Sequence, residues 1–401
     1  MLSKVLSRPL RPLSRAAASA FTTEAKGPAA DADVEAAAPA SISKMSVIAK
    51  HSIAQMNKDV DVNKFFELSD EQIKKNFPSG LPKRLNEMFE FLEPKKHLML
   101  RKSTASILDA MTDFPQKWPA HWPEKAFVLD GERGTGKTVA LIQAVNFARE
   151  NGWIVLHVPH AREWVNDAPY VTKSAHIEGK FDIDVVGMDI LKQLIECHGE
   201  QLATLSVRGD YGAHYYPRSF AKKPKSESEY DKSSLTLLDI CENGLKDDLL
   251  TCKAVLDLKA ELAQVTEFPV LIAIDEYNTW FRKTVFGYEG VDVKPEDITL
   301  IDALRDVDES GYRADRALKN GLFLAATTEN FPSAHDFSKQ ATFKRVRKLL
   351  HPYTNDELKS LIDYFHEVNF RQSKYSDKDV VYLRLMSKSI PLKVFKQACL
   401  V

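Results

Sequence analysis

Eight consecutive residues, Gly131-Glu132-Arg133-Gly134-Thr135-Gly136-Lys137-Thr138, place three glycines, a lysine and a hydroxyl at the spacing G-x-x-x-x-G-K-T. Glycine permits positive φ and close approach of the backbone to a ligand. A run of this kind turns successive N–H groups, and then a helix N-terminus, toward an anion. In this pattern the loop amides cradle phosphates, the lysine reaches the β- and γ-phosphates, and the hydroxyl binds Mg²⁺. Gly131, Arg133, Gly134, Thr135, Gly136, Lys137 and Thr138 are therefore the expected nucleotide contacts.

Such a loop needs a second group on the magnesium. Val270–Asp275 supplies it: five apolar residues, then a carboxylate at the end of a strand. Asp275 and Thr138 would share the Mg²⁺, partly through water. Glu276 follows directly. It reads either as the glutamate that polarises the attacking water in additional-strand P-loop ATPases, or as a solvated strand-end acid. A third apolar run, from Leu322, ends in Thr327-Thr328-Glu329-Asn330. Thr328 there is a candidate sensor of the terminal phosphate, although many strands end in such residues. No N-K-x-D guanine motif follows the loop, so the base is open: GTP or GDP, with ATP possible. Arg345 and Arg347 are candidates for an arginine finger. A basic run such as Lys344–Lys348 more often forms a solvated or RNA-facing surface. His157-x-x-His160 has a metal-like spacing but no third ligand, and fits core or surface histidines better.

These residues need a scaffold. Ala126–Asp130 reads as a buried strand, and Thr138–Glu150 as the helix after the loop. Trp153–Val158, Val270–Ile274 and Leu322–Ala326 are further strands, with helices over Val185–Leu205 and Leu235–Val265. Strands alternating with helices predict an α/β fold, a parallel sheet flanked by helices, over residues 121–335. Residues 24–120 read as a linker and an irregular arm, with Phe65, Phe66, Leu68, Ile73 and Phe77 on one apolar face and many prolines. Residues 336–401 read as a helical C-terminal domain, and Ala221–Ser234 as a surface loop.

Composition narrows the class. Of 401 residues, 44% are hydrophobic and 28% charged, which excludes wholesale disorder. The net charge of −1 excludes binding nucleic acid through a global basic field. The four cysteines form no C-x-x-C pair, and no apolar run is long enough to span a membrane. Residues 1–23 carry Lys4, Arg8, Arg11 and Arg15 among Ser, Ala and Leu, with no acid before Glu24. That composition predicts a mitochondrial transit peptide and a place in the matrix.

Four strings, Gly131–Thr138, Leu156–Val165, Ala273–Trp280 and Pro391–Leu400, together resemble the death-associated protein 3 family, GTP-binding proteins of the mitochondrial ribosomal small subunit. The resemblance covers residues 60–401 and is carried by those strings. It implies an AAA-like P-loop NTPase core and a nucleotide held in the head of the small subunit. It also implies contacts with other small-subunit proteins, limited contacts with rRNA, and a position facing the large subunit. On matching positions, Gly134, Gly136, Lys137 and Thr138 carry over as phosphate and Mg²⁺ contacts, and Asp275 as the Walker B acid. The expected function is a structural ribosomal component holding a nucleotide, with slow or no hydrolysis. The alternative is a free matrix AAA-type ATPase with Glu276 as its catalytic residue.

Overall fold

Prolines keep the N-terminal arm in short pieces. In the computed structural model Phe65–Glu67 (β1) is followed by Lys83–Leu92 (α1), His97–Met99 (β2) and Lys102–Met111 (α2). β1 and β2 pair antiparallel. The structure describes residues 46–399, apart from 93–94, 117, 123, 212–214, 216–234, 309, 331–342 and 371–373. The expected transit peptide (1–23), the linker that follows it and the loop expected over 221–234 lie outside the described residues.

Ala126–Asp130 (β3), Ile154–Val158 (β4), Val270–Ile274 (β5), Gly321–Ala326 (β6) and Arg347–Leu349 (β7) form one parallel sheet in the order β7-β3-β6-β5-β4. Alternate side chains of a strand face opposite sides, and both sides are covered. Val128, Ile272 and Ile274 pack with residues of Asp184–Thr204 (α4), Leu237–Lys246 (α5) and Asp248–Gln264 (α6). Phe127, Leu129, Leu271 and Ala273 pack with Leu141 and Val145 of Lys137–Glu150 (α3). Phe66, Leu100 and Leu108 of the arm belong to this second cluster. The boundary expected at residue 120 therefore separates no independent body, and Ser46–Val401 make one compact unit. The arm's pieces are too short to bury their apolar faces on each other, so they bury them on the sheet and α3.

The fifth strand corrects two expectations. The sequence reading ends the core at 335 and leaves the run 344–348 as surface or as a source of an arginine finger. β7 instead completes the sheet beside β3, so the core extends to it. The Arg347 guanidinium grips the Asp130 carboxylate at 2.7 Å through both Nε and a terminal nitrogen. The Lys348 ammonium lies 4.9 Å from the centre of the Trp122 ring. Charged side chains suit an edge strand, where they discourage further pairing. Lys344 and Arg345 remain exposed.

Asn355–Glu367 (α7), Asp377–Ser387 (α8) and Pro391–Ala398 (α9) close the chain. They build a third cluster that takes in Phe65 of β1 and Met99 of β2, so the arm and the C-terminal helices share one core. A capping box starts α7: the Thr354 hydroxyl accepts from the Glu357 N–H, and the Glu357 carboxylate accepts from the Thr354 N–H. No helix among the described residues is long and apolar enough to cross a membrane.

Candidate functional site

The glycine-rich loop joins β3 to α3. Gly131 and Gly134 have φ of 141° and 88°, and both are tightly packed. A Cβ on Gly131 would lie 2.4 Å from the Leu350 carbonyl oxygen, and one on Gly134 would lie 2.8 Å from Leu392 Cβ. Side chains are thus excluded by space as well as by backbone conformation. No side chain caps α3 at Gly136, which leaves its first-turn amides available to a ligand.

A cavity of about 690 Å³ opens over the loop, at the C-terminal ends of the strands. Arg133, Gly134, Thr135, Gly136, Lys137 and Thr138 line it from the loop, Asp275 and Glu276 from the end of β5, and Thr328 from the end of β6. The predicted site residues are brought together, with one difference. Gly131 does not line the cavity; it makes the turn under Leu350, and its carbonyl accepts from the Lys137 ammonium. Its lining also includes apolar side chains, Met88 and Phe89 of α1, Phe365 of α7 and Phe395 of α9.

The charges are arranged unevenly. Asp275 is 5% exposed, and burial pushes its carboxyl up to about 6. The Thr138 hydroxyl and the Glu276 N–H, the latter at 2.8 Å, donate to it and oppose that rise, as does the Lys137 charge. Lys137 folds onto the Gly131 and Glu132 carbonyls. Burial lowers its pKa, while Glu329, Asp130 and Asp275 act to raise it. Glu276 sits at φ 58° beside Arg162, with Nε 3.9 Å from its carboxylate. Burial and the Asp275 charge raise its carboxyl. A buried carboxylate joined to a threonine hydroxyl, next to uncapped amides and a lysine, fits Mg²⁺ and phosphate, because a cation relieves the burial of Asp275.

The ends of β5 and β6 are locked together. The Asn278 side-chain amide donates to the Thr328 carbonyl at 2.8 Å, and its oxygen accepts from the Thr328 N–H at 2.7 Å. The Thr327 hydroxyl turns away to Asp130 at 2.7 Å. The Arg133 N–H donates to Glu329 Oε2 at 2.7 Å.

One residue absent from the sequence reading shapes the loop. Arg101 is buried and donates to the Thr135 carbonyl at 2.8 Å, to the His351 carbonyl at 2.9 Å, and to both oxygens of Glu357 at 2.8 and 2.9 Å. The first turn of α9 adds a second tie, from the Leu392 N–H to the Gly134 carbonyl at 3.1 Å. The signal for α7 was visible in Thr354-x-x-Glu357; nothing local marks Arg101 as the partner of Glu357. Glu329, Asn278 and Arg162 were also missed as site residues. Of the two candidate fingers, neither lines the cavity: Arg347 is committed to Asp130, and Arg345 is an exposed residue of the short 343–346 helix. His157 and His160 go separate ways. His157 is a core residue set edge-on to Phe77, held neutral by burial, and His160 lines the cavity.

Residues 98–390 match the family model described as mitochondrial ribosomal death-associated protein 3. The chain is 26% identical over 314 residues to small ribosomal subunit protein mS29 of Mus musculus, covering 75% of each chain. It is 24% identical over 326 residues to the Bos taurus protein of the same name, covering 78% of this chain and 77% of that one. Among solved structures, Cdc6p from Pyrobaculum aerophilum aligns over 82% of this chain and 61% of its own, at 15% identity and a TM-score of 0.32.

Proposed function

The chain belongs to the mitochondrial ribosomal death-associated protein 3 family, and from that premise we propose that it is a structural component of the small subunit of the mitochondrial ribosome, built around a bound purine nucleotide. Its place would be the matrix, with other small-subunit proteins as its main partners, limited rRNA contact and the large subunit opposite. The names of the mouse and bovine relatives support the ribosomal assignment. Exposed Lys344 and Arg345 are the part of the basic run left for a phosphate backbone.

The observation that carries the nucleotide reading is convergence. The uncapped start of α3, Lys137 and the Thr138–Asp275 pair meet at one cavity. Thr138 and Asp275 would hold Mg²⁺, which supplies positive charge between phosphate oxygens and a buried carboxylate. The loop amides and Lys137 would hold the phosphates of GTP or GDP, with ATP possible. The apolar lining of Met88, Phe89, Phe365 and Phe395 suits a flat base. β6 lies between the loop strand β3 and the Asp275 strand β5, which supports an AAA-like, additional-strand P-loop fold. Slow or no hydrolysis fits Glu276 facing Arg162, with neither candidate finger at the cavity. Glu276 at the cavity is the one observation that favours the second reading, a free matrix ATPase.

Two measurements test this. On a sucrose gradient of mitochondrial lysate the protein should comigrate with small-subunit rRNA at moderate salt. Sedimentation as a free or ring-sized species overturns the ribosomal assignment and favours the ATPase. Lys137→Ala should lose the nucleotide that wild type retains through purification; equal retention overturns the loop assignment.

A further inference from the structure

We propose that Glu329 sets the phosphate-number preference of the loop, favouring a nucleoside diphosphate over a triphosphate; the inference rests on the nucleotide reading above.

Glu329 stands directly after β6, on a turn whose start is fixed. The Asn278 amide holds Thr328 by both its N–H and its carbonyl, and the Asn330 N–H donates to the Thr328 hydroxyl at 3.2 Å. From there the carboxylate reaches back into the loop and accepts the Arg133 N–H at 2.7 Å. That amide belongs to the set expected to face phosphate oxygens. Glu329 is also the foremost of the three carboxylates whose charge supports the Lys137 ammonium, ahead of Asp130 and Asp275.

One loop amide thus already has an internal carboxylate as its partner, and the charge of that carboxylate acts on the loop lysine without a direct bond. Lysine at this position serves the outer phosphates. A triphosphate brings its terminal negative charge to the groups that Glu329 engages, and like charges in one site repel. A diphosphate leaves the outer position to the carboxylate. Glu329 then acts as a covalently attached substitute for the terminal phosphate. Glu276 does not do this, because Arg162 lies beside it. Glu329 is exposed, and its hydrogen bond among the described residues goes to the loop, so its removal leaves the core intact.

The test is calorimetric titration of the full chain, stripped of nucleotide, with GDP, a non-hydrolysable GTP analogue and the adenine pair, all with Mg²⁺. Wild type should bind the diphosphate more tightly. Glu329→Gln should narrow that preference about tenfold, the size of one partly screened charge contact, chiefly by tightening the triphosphate. Glu329→Asp, which keeps the charge but shortens the reach, should fall between them. The wild-type preference should shrink as ionic strength rises, and that of Glu329→Gln should not. An unchanged ratio in Glu329→Gln, or a selective loss of triphosphate, overturns the role of Glu329 while leaving the nucleotide site standing. Failure of wild type to bind either nucleotide overturns both.

Discussion

Two places in this molecule bury a lysine and an aspartate, and they are built in opposite ways. Lys259 on α6 meets Asp306 directly at 2.6 Å, with side chains 7% and 0% exposed. At the loop, Lys137 turns to carbonyls and Asp275 to a threonine hydroxyl, with no direct bond between them. The first pair neutralises itself in the helical layer behind the sheet. The second keeps both charges unneutralised at the mouth of a cavity. Burial of a charged pair is therefore not the mark of a binding site. What sets the loop apart is that its two charges are held apart by neutral groups, the arrangement that the proposed Mg²⁺ and phosphate require.

The largest test removes half of the closed pair. Asp306→Ala leaves the Lys259 ammonium buried without its carboxylate and should cost about 3–5 kcal/mol in urea unfolding. Lys259→Met with Asp306→Leu should recover most of that, because Asp306 Oδ2 makes no hydrogen bond and the pair is poorly satisfied. A loss below about 1 kcal/mol for Asp306→Ala, the range of an exposed pair, breaks the comparison.

The next test concerns a buried group kept from charging at all. His198 is 3% exposed; its Nε2 accepts the Val155 N–H at 3.0 Å, and its Nδ1 lies 2.9 Å from Gln201 Oε1. Burial holds its pKa down to about 4. The unfolded chain binds this proton near pH 6.5 and the folded chain does not, so the contribution is intact above pH 6.5 and is lost as pH falls toward 4. Relative to His198→Gln, wild type should lose about 3 kcal/mol across that window. A gap that does not change with pH removes the imidazole from the account.

A smaller effect belongs to the open pair itself. GDP with Mg²⁺ at 100 times its Kd should stabilise wild type by about 2.7 kcal/mol, and Lys137→Ala at the same concentration by far less. Equal shifts in thermal melting would mean that the separated charges do not receive the ligand. The last effect has the opposite sign to the usual mutation. Asp275→Asn should stabilise the nucleotide-free protein at pH 7.5, by up to about 3 kcal/mol, because its buried carboxyl is raised to about 6. That gain should vanish as pH falls to 4, where wild type is protonated too. A stability loss at pH 7.5 would make Asp275 a structural residue like Asp306.

Much of the sheet was legible because a buried parallel strand is a continuous apolar run. Val270–Ile274 was read at its observed bounds, and Ala126–Asp130 likewise. The loop was legible as the turn between β3 and α3 because its glycines take backbone conformations that other residues rarely adopt. Arg347–Leu349 was not legible, since an edge strand of three residues carries two cations and no apolar pattern. The helical pieces of the arm were visible, but their attachment was not. Phe66 and Leu108 look alike whether they face a partner or the molecule's own α3, and only packing decides. Nothing local in Thr327-Thr328-Glu329-Asn330 marks Glu329 as a site residue, because its partner is an amide 196 residues away.

The Arg101–Glu357 tie carries a consequence for how the protein is made. Its two ends are 256 residues apart in the chain. Wherever the chain emerges from its N-terminal side, the glycine-rich loop comes before α7, and for that interval Arg101 has neither Glu357 nor the His351 carbonyl to hold it against Thr135. The amides around Gly134 likewise wait for Leu392. On the nucleotide reading proposed above, capture waits for α7 and α9, and a product truncated ahead of α7 would begin with a slack cradle, however complete its sheet.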